Sequence, residues 1–227
     1  MTGRLLATLA ALALAACSSD NAVTQPGLAE TALSMARARM AARGAETAPA
    51  QAPPQVTRAQ MEALGRPVVY TAVPRLSLGQ PAVEVARNRG FVTFIASDQS
   101  SITLRDGIVS ATRGLPVDLF AQRLSITPGA LFRGTFPKTY ERTQRHLTGE
   151  GTLDTRDYVC AIAPAEKDEV LELFGRNYTV RQYTEVCQNR VRAFQNSYWV
   201  DRRGTVWQSH QSISREVGHM VVQRVVQ

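Results

Sequence analysis

Three cysteines, three histidines and one run of carboxylates are the side chains of this 227-residue sequence whose chemistry could go beyond packing. The histidines, His146, His210 and His219, form no pair four residues apart of the kind a helix offers to a metal, and no His-Glu-x-x-His occurs. Gly-x-Ser-x-Gly, the Walker loop and the dinucleotide glycine fingerprint are also missing from the sequence. Glu166, Asp168, Glu169 and Glu172 cluster beside Lys167. Paired carboxylates cleave glycosidic bonds when a fold holds them about 5–9.5 Å apart; a solvated hairpin arm is their ordinary use. The residues therefore point to no catalytic group, no metal site and no cofactor.

The first cysteine follows a different logic. Arg4 supplies a positive start, Leu5 to Ala13 a short apolar run, and Leu14-Ala15-Ala16-Cys17 a small-residue cut site before the polar Ser18-Ser19-Asp20. This is the pattern of a secretory signal over residues 1–16, and its apolar run is far shorter than the ~20 residues a transmembrane helix needs. Leu-Ala-Ala-Cys resembles the lipobox of bacterial lipoproteins. That resemblance implies cleavage before Cys17, a diacylglycerol on its thiol and an acyl chain on its new amino group; several chains anchor a protein firmly, at ~0.8 kcal/mol per buried CH₂. Ser18 after the cysteine resembles the outer-membrane sorting signal of enteric bacteria, so the expected location is the periplasmic face of the outer membrane. In that oxidising compartment Cys160 and Cys187 are expected to form a disulfide, worth ~3.5 kcal/mol by loop closure.

Charge narrows the partners. Lys+Arg 26 against Asp+Glu 19 gives +7, and only Lys138 and Lys167 are lysines. The arginines are scattered, and an exported chain does not meet nucleic acid, so nucleic-acid binding is not expected. Acidic polysaccharide and anionic headgroups suit the charge, as does a plain solvated surface. Tyr198-Trp199 and Trp207 flank a turn at Asp201 to Gly204, where their rings could stack on sugars or simply pack across strands.

The elements that must position these residues are mostly strands. Residues 17–55 read as a lipidated tether, with a helix at Leu28 to Ala42 and a Pro/Ala linker at Ala45 to Pro54. A short helix follows at Val56 to Leu64, with Thr57 as N-cap and Gly65 as stop. Residues 56–227 form one β-rich domain. Val68 to Val73, Gly90 to Ala96, Ser101 to Leu104 and Ile108 to Thr112 are strand-like, and Arg105-Asp106-Gly107 is a hairpin turn. Leu153 to Ala163, Arg176 to Val186, Val191 to Val200, Thr205 to Ser214 and Met220 to Val226 alternate polar and apolar residues. Asp118 to Ala121 reads as a helical turn, and Thr139 to Leu147 suits either helix or strand. The fold class is mainly β: an antiparallel barrel or sandwich with one or two N-terminal helices.

The stretch Ser101 to Phe120, SITLRDGIVSATRGLPVDLF, resembles the YjbF/GfcB lipoprotein family, associated with exopolysaccharide and group 4 capsule operons. Its hallmark appears as Leu104-Arg105-Asp106-Gly107, Ala111-Thr112-Arg113-Gly114-Leu115 and Asp118-Leu119. Tyr140, Arg142, Arg145 and Leu147, one cysteine in each of two later strands, and Tyr198-Trp199-Val200-Asp201 before Gly204 and Trp207 agree as well. The likeness covers roughly Val56 to His219; Pro116 departs from it. It implies an all-β barrel-like fold, an outer-membrane lipoprotein, a part in polysaccharide production or export, and no established catalytic residues. Arg105, Arg113, Arg142, Arg145, Trp199 and Trp207 are the candidate contacts for polysaccharide or export-machinery partners. Arg105 and Arg113 could instead pair with Asp106 or Asp118. The alternatives to a non-enzymatic accessory are an enzyme acting on envelope polysaccharide and a carrier of an apolar ligand inside the barrel.

Overall fold

Strand after strand pairs with its sequence neighbour until the sheet curls almost onto itself. The computed structural model describes residues 56–148 and 150–227. The expected helix at Leu28 to Ala42 lies outside them. The twelve strands are β1 (Val68–Val73), β2 (Leu78–Asn88), β3 (Phe91–Ala96), β4 (Ser101–Arg105), β5 (Ile108–Arg113), β6 (Asp118–Leu124), β7 (Lys138–Leu147), β8 (Leu153–Leu173), β9 (Arg176–Gln188), β10 (Ala193–Val200), β11 (Val206–Ser214) and β12 (Gly218–Val226). Their order is β5-β4-β3-β2-β1-β12-β11-β10-β9-β8-β7-β6. First and last strands pair, Val68 opposite Val226 and Ala72 opposite Val221. The break in the ring of ladders therefore falls in mid-chain, between β5 and β6. The result is a nearly closed antiparallel barrel rather than a sandwich.

Local chemistry accounts for the turns. Asp106 and Gly107 have φ of 50° and 84°, the left-handed pair a tight two-residue hairpin needs. A Cβ on Gly107 would lie 2.4 Å from Val206 Cβ, so only glycine lets this turn sit against β11. Helix α1 (Arg58–Glu62) begins at a reciprocal cap, in which Thr57 Oγ1 accepts from Gln60 N while Thr57 N donates to Gln60 Oε1. A second helical turn, α2 (Pro128–Leu131), sits between β6 and β7.

Two segments differ from the sequence reading. Asp118 to Ala121 is strand β6, not a helical turn; the register slips between Leu119 and Ala121, and that bulge hides the two-residue period. Strand β2 carries Gly79 and Pro81, which ordinarily speak against a strand. Its pairing with β3 reaches only Ala82, so Pro81 lies where β2 has a partner on one side alone.

The lumen holds two apolar clusters. Val69, Phe94, Ile102, Leu104, Leu119 and Ile213 belong to one, and Leu131, Tyr158, Ile162, Phe194, Tyr198 and Val206 to the other. A third cluster, Met61, Val68 and Val225 with Tyr70 and Phe174 against it, forms on the opposite face of β1, where α1 packs.

Candidate functional site

The signature hairpin stands at the gap in the ring and laces it. Thr112 Oγ1 donates to Asp118 Oδ1 at 2.9 Å and accepts from Leu119 N at 2.9 Å. The Asp118 carboxylate also receives Gly114 N and Leu115 N, at 3.0 and 3.1 Å. Arg113 donates to the carbonyls of Thr112, Leu119 and Phe120 and lies over the Phe120 ring, 4.9 Å from its centroid. Further along, Gln122 Nε2 donates to Val109 O at 2.6 Å, and Val109 N donates to Gln211 Oε1 at 3.0 Å. Side chains thus satisfy edge groups that a ladder would otherwise pair. Beyond Val109 the edges part, and a cleft of about 340 Å³ opens among Phe91, Arg105, Ile108, Gln122, Arg123 and Ile126.

Inside, β7, β9 and β10 bring five polar side chains to one point. Glu185 and Arg142 are 0% and 1% exposed and form an ion pair. Tyr140 OH and Arg142 Nε, the latter at 3.2 Å, donate to Glu185 Oε1; Asn196 Nδ2 and Tyr198 OH donate to Oε2, at 2.6 and 2.7 Å. Burial alone would raise the Glu185 carboxyl. The Arg142 charge and these hydrogen bonds outweigh it and hold the group below the usual carboxylate range. Asn196 Oδ1 accepts from Ser212 N at 2.7 Å, Gln144 Nε2 donates to Ser212 O at 3.4 Å and to Gln122 Oε1 at 2.9 Å, and Gln122 reaches the seam. One polar chain therefore crosses the lumen from β9 to the β5 edge. Cys160 and Cys187, directly opposite on β8 and β9, form a disulfide next to it. Cysteines held in that bond cannot act as thiolate ligands, so their closeness to Glu185 makes no metal site.

On the outer face, the distal arm of the β8–β9 hairpin covers both tryptophans. The ladder slips between Pro164 and Asp168. Beyond that slip Trp199 Nε1 donates to Glu169 Oε1 at 2.6 Å, and Trp207 stacks on Tyr178 with centroids 3.7 Å apart. Trp207 Nε1 donates to Asp201 Oδ2 at 3.0 Å, and Trp199 tilts against His210 at 4.9 Å. Arg58 ties α1 to the arm through the carbonyls of Leu173 and Phe174, at 3.0 and 3.1 Å. The carboxylate cluster is part of this arm: Asp168 pairs with Arg181 at 2.7 Å and Arg202 at 3.3 Å.

The predicted site residues therefore disperse. Arg142 is an interior ion-pair partner, so its burial takes it away from any surface contact with sugar. Arg113 is exposed but serves seam carbonyls, and Arg145 is exposed on β7. Arg105 lies over Phe91 at 5.0 Å, on the cleft. The tryptophans have separate aromatic partners under the arm. Sequence reasoning missed Glu185, Asn196 and Gln211, and named Tyr140 only within the family likeness. The signal present was a strand β7 that turns polar residues, Arg142, Gln144 and His146, to the buried side.

A twelve-stranded meander with a filled, partly polar lumen and a seam laced by one hairpin defines the class. The chain belongs to the YjbF family: the family description "Group 4 capsule polysaccharide lipoprotein gfcB, YjbF" matches residues 18–225. The fold is similar to the crystal structure of the hypothetical lipoprotein YmcC from Escherichia coli K12, with a TM-score of 0.64, 18% identity, and coverage of 90% of this chain and 98% of that one. No curated protein matches the sequence.

Proposed function

We propose that this protein is a lipid-anchored, non-enzymatic accessory of capsule or exopolysaccharide production and export. Cys17 carries the lipid after a signal peptide at 1–16 is removed, residues 17–55 are the tether, and the barrel stands at the periplasmic face of the outer membrane. The observation that carries this reading is the match to the capsule lipoprotein family over residues 18–225. The packed lumen supports it, because side chains fill the space an apolar cargo would need. Arg105, Arg113 and Arg145 on the outside are the contacts for polymer or for an export protein.

Deletion of the gene, complemented with wild type or Cys17→Ser, tests the reading when secreted and surface polysaccharide are quantified and the protein is located by membrane fractionation. Loss of polymer that only the lipidated form restores, with that form in the outer-membrane fraction, is expected. Unchanged polymer in the deletion strain, under conditions where wild type produces it, would overturn the reading.

A further inference from the structure

One end of the barrel gathers positive charge around a depression. Arg87 on β2, Arg133 after α2, Arg203 in the β10–β11 turn and Arg224 on β12 line a pocket of about 470 Å³, with Asp106 as the acidic side chain among its described lining residues. These residues lie far apart in sequence, and the meander brings their strand ends together.

The four guanidinium groups are not equally neutralised. Glu84 grips Arg87, with Nε to Oε1 at 2.9 Å and Nη2 to Oε2 at 2.6 Å. Among the described residues, the guanidinium groups of Arg133, Arg203 and Arg224 have no carboxylate within 4.0 Å, unlike that of Arg87 and those of the six ion pairs elsewhere. Arg224 is half-buried, and among the described residues its side chain makes a single hydrogen bond, from Nε to Val206 O at 3.4 Å. Burial, and then the like charge of Arg87, press it below the usual arginine range despite Glu84, Asp106 and Asp201. Taking a guanidinium out of water is costly unless an acceptor meets it.

The pocket is also built, not incidental. Arg133 Nη2 donates to Arg203 O at 3.1 Å, holding the two loops together. Gly204, at φ 90°, leaves room for that guanidinium: a Cβ there would sit 3.1 Å from Nη2. Arginine forks suit carboxylate and phosphate oxygens better than lysine's point charge, and the protein's near-absence of lysine leaves the pocket wholly to arginine.

We propose that this pocket binds an acidic saccharide, its anionic group held by Arg133, Arg203 and Arg224. The inference rests on the polysaccharide reading above and adds the ligand's chemistry: a uronate carboxylate or a sugar phosphate, two sources of the same oxyanion. The concave walls formed by Pro67, Val206 and Gly204 take a sugar-sized group better than they would match a flat bilayer.

Titration calorimetry of the full chain in detergent tests this with trigalacturonate, glucose 1-phosphate and neutral maltotriose. At least one acidic probe binds, more weakly at 200 than at 50 mM salt, and maltotriose does not. Binding of trigalacturonate alone identifies a carboxylate source, and of glucose 1-phosphate alone a phosphate source. Arg203→Gln, on an exposed turn and with the carbonyl that Arg133 meets left in place, lowers affinity by about tenfold with an unchanged melting temperature in the absence of ligand; Arg133→Gln lowers affinity at least as much, since it also loses the bond between the two loops. Arg224→Gln lowers affinity as well, and Arg203→Gln keeps the test clear if that variant folds poorly. The proposal falls if neither acidic probe binds, if maltotriose binds as well, if the variants bind like wild type, or if only anionic phospholipid vesicles bind. Those failures, beside a deletion strain that still loses its polymer, would remove the pocket and leave the proposed function standing.

Discussion

Thr112 and Asp118 stand on opposite free edges of the sheet, and the 2.9 Å bond between Thr112 Oγ1 and Asp118 Oδ1 joins them. The same hydroxyl accepts the Leu119 N–H, and the same carboxylate holds Gly114 N and Leu115 N. Two short polar side chains thus stand in for a β-ladder at the one place where the ring of strands is open. Asp118→Ala removes three bonds and leaves Thr112 without its acceptor. It is expected to cost about 2–3 kcal/mol, against ~1 kcal/mol for Thr112→Val. Urea unfolding measures both, and amide exchange of β5 and β6 should rise in Asp118→Ala while β9 and β10 keep their protection. Uniform protection across all strands in that variant would contradict the lacing role.

The Arg142–Glu185 pair predicts a strongly non-additive pair of mutations. Glu185→Ala leaves a buried guanidinium without its counter-charge, and Arg142→Ala leaves a buried carboxylate; each is expected to cost about 3–5 kcal/mol. Replacing both by apolar residues of similar size is expected to cost less than the sum, because no lone charge stays in the lumen. A double-mutant cycle on urea midpoints decides; additive single costs would show that the pair is not coupled.

Cys160 and Cys187 close a loop with a sequence separation of 27. Replacing both by alanine is expected to lower stability by about 3.5 kcal/mol through the freer unfolded chain. The barrel signature in circular dichroism is expected to persist, since the β8–β9 ladder continues on both sides of the pair. A melting temperature equal to wild type in the double variant would refute this.

Acid should weaken the fold in a defined window. Burial, and then the His219 charge, push His210 from 6.5 down to about 4; burial, and then Arg156, lower His146 as well. A depressed histidine takes up its proton more readily when unfolded, so stability is intact above pH 6.5 and falls as pH drops from 6.5 toward 4. For His210 the shift corresponds to at most ~3 kcal/mol, and residual solvent contact reduces that. His210→Gln should therefore flatten the loss of stability between pH 7.5 and 4.5. An identical pH dependence in wild type and variant would rule His210 out as its source.

Much of the barrel is legible in the sequence. Alternation marked most strands, Asp106-Gly107 marked its hairpin, and Thr57 marked the start of α1, because each of these depends on neighbours within a few residues. Local rules failed at β2, where Gly79 and Pro81 mask a strand with one open side, and at β6, where a bulge breaks the period.

The site needed the tertiary structure for the same reason. Residue counts and compartment alone made Cys160 and Cys187 the expected pair, and the resemblance to the family singled out Thr112 to Leu115. Only the pairing and curvature of the strands brings Arg142 to Glu185 across 43 residues and lays the β8–β9 arm over Trp199 and Trp207, and only closure of the ring gathers Arg87, Arg133, Arg203 and Arg224 on one rim. A guanidinium looks the same in sequence whether it is solvated, paired or poised for a ligand. Which of these it becomes depends on the partners and the water that distant strands bring or exclude.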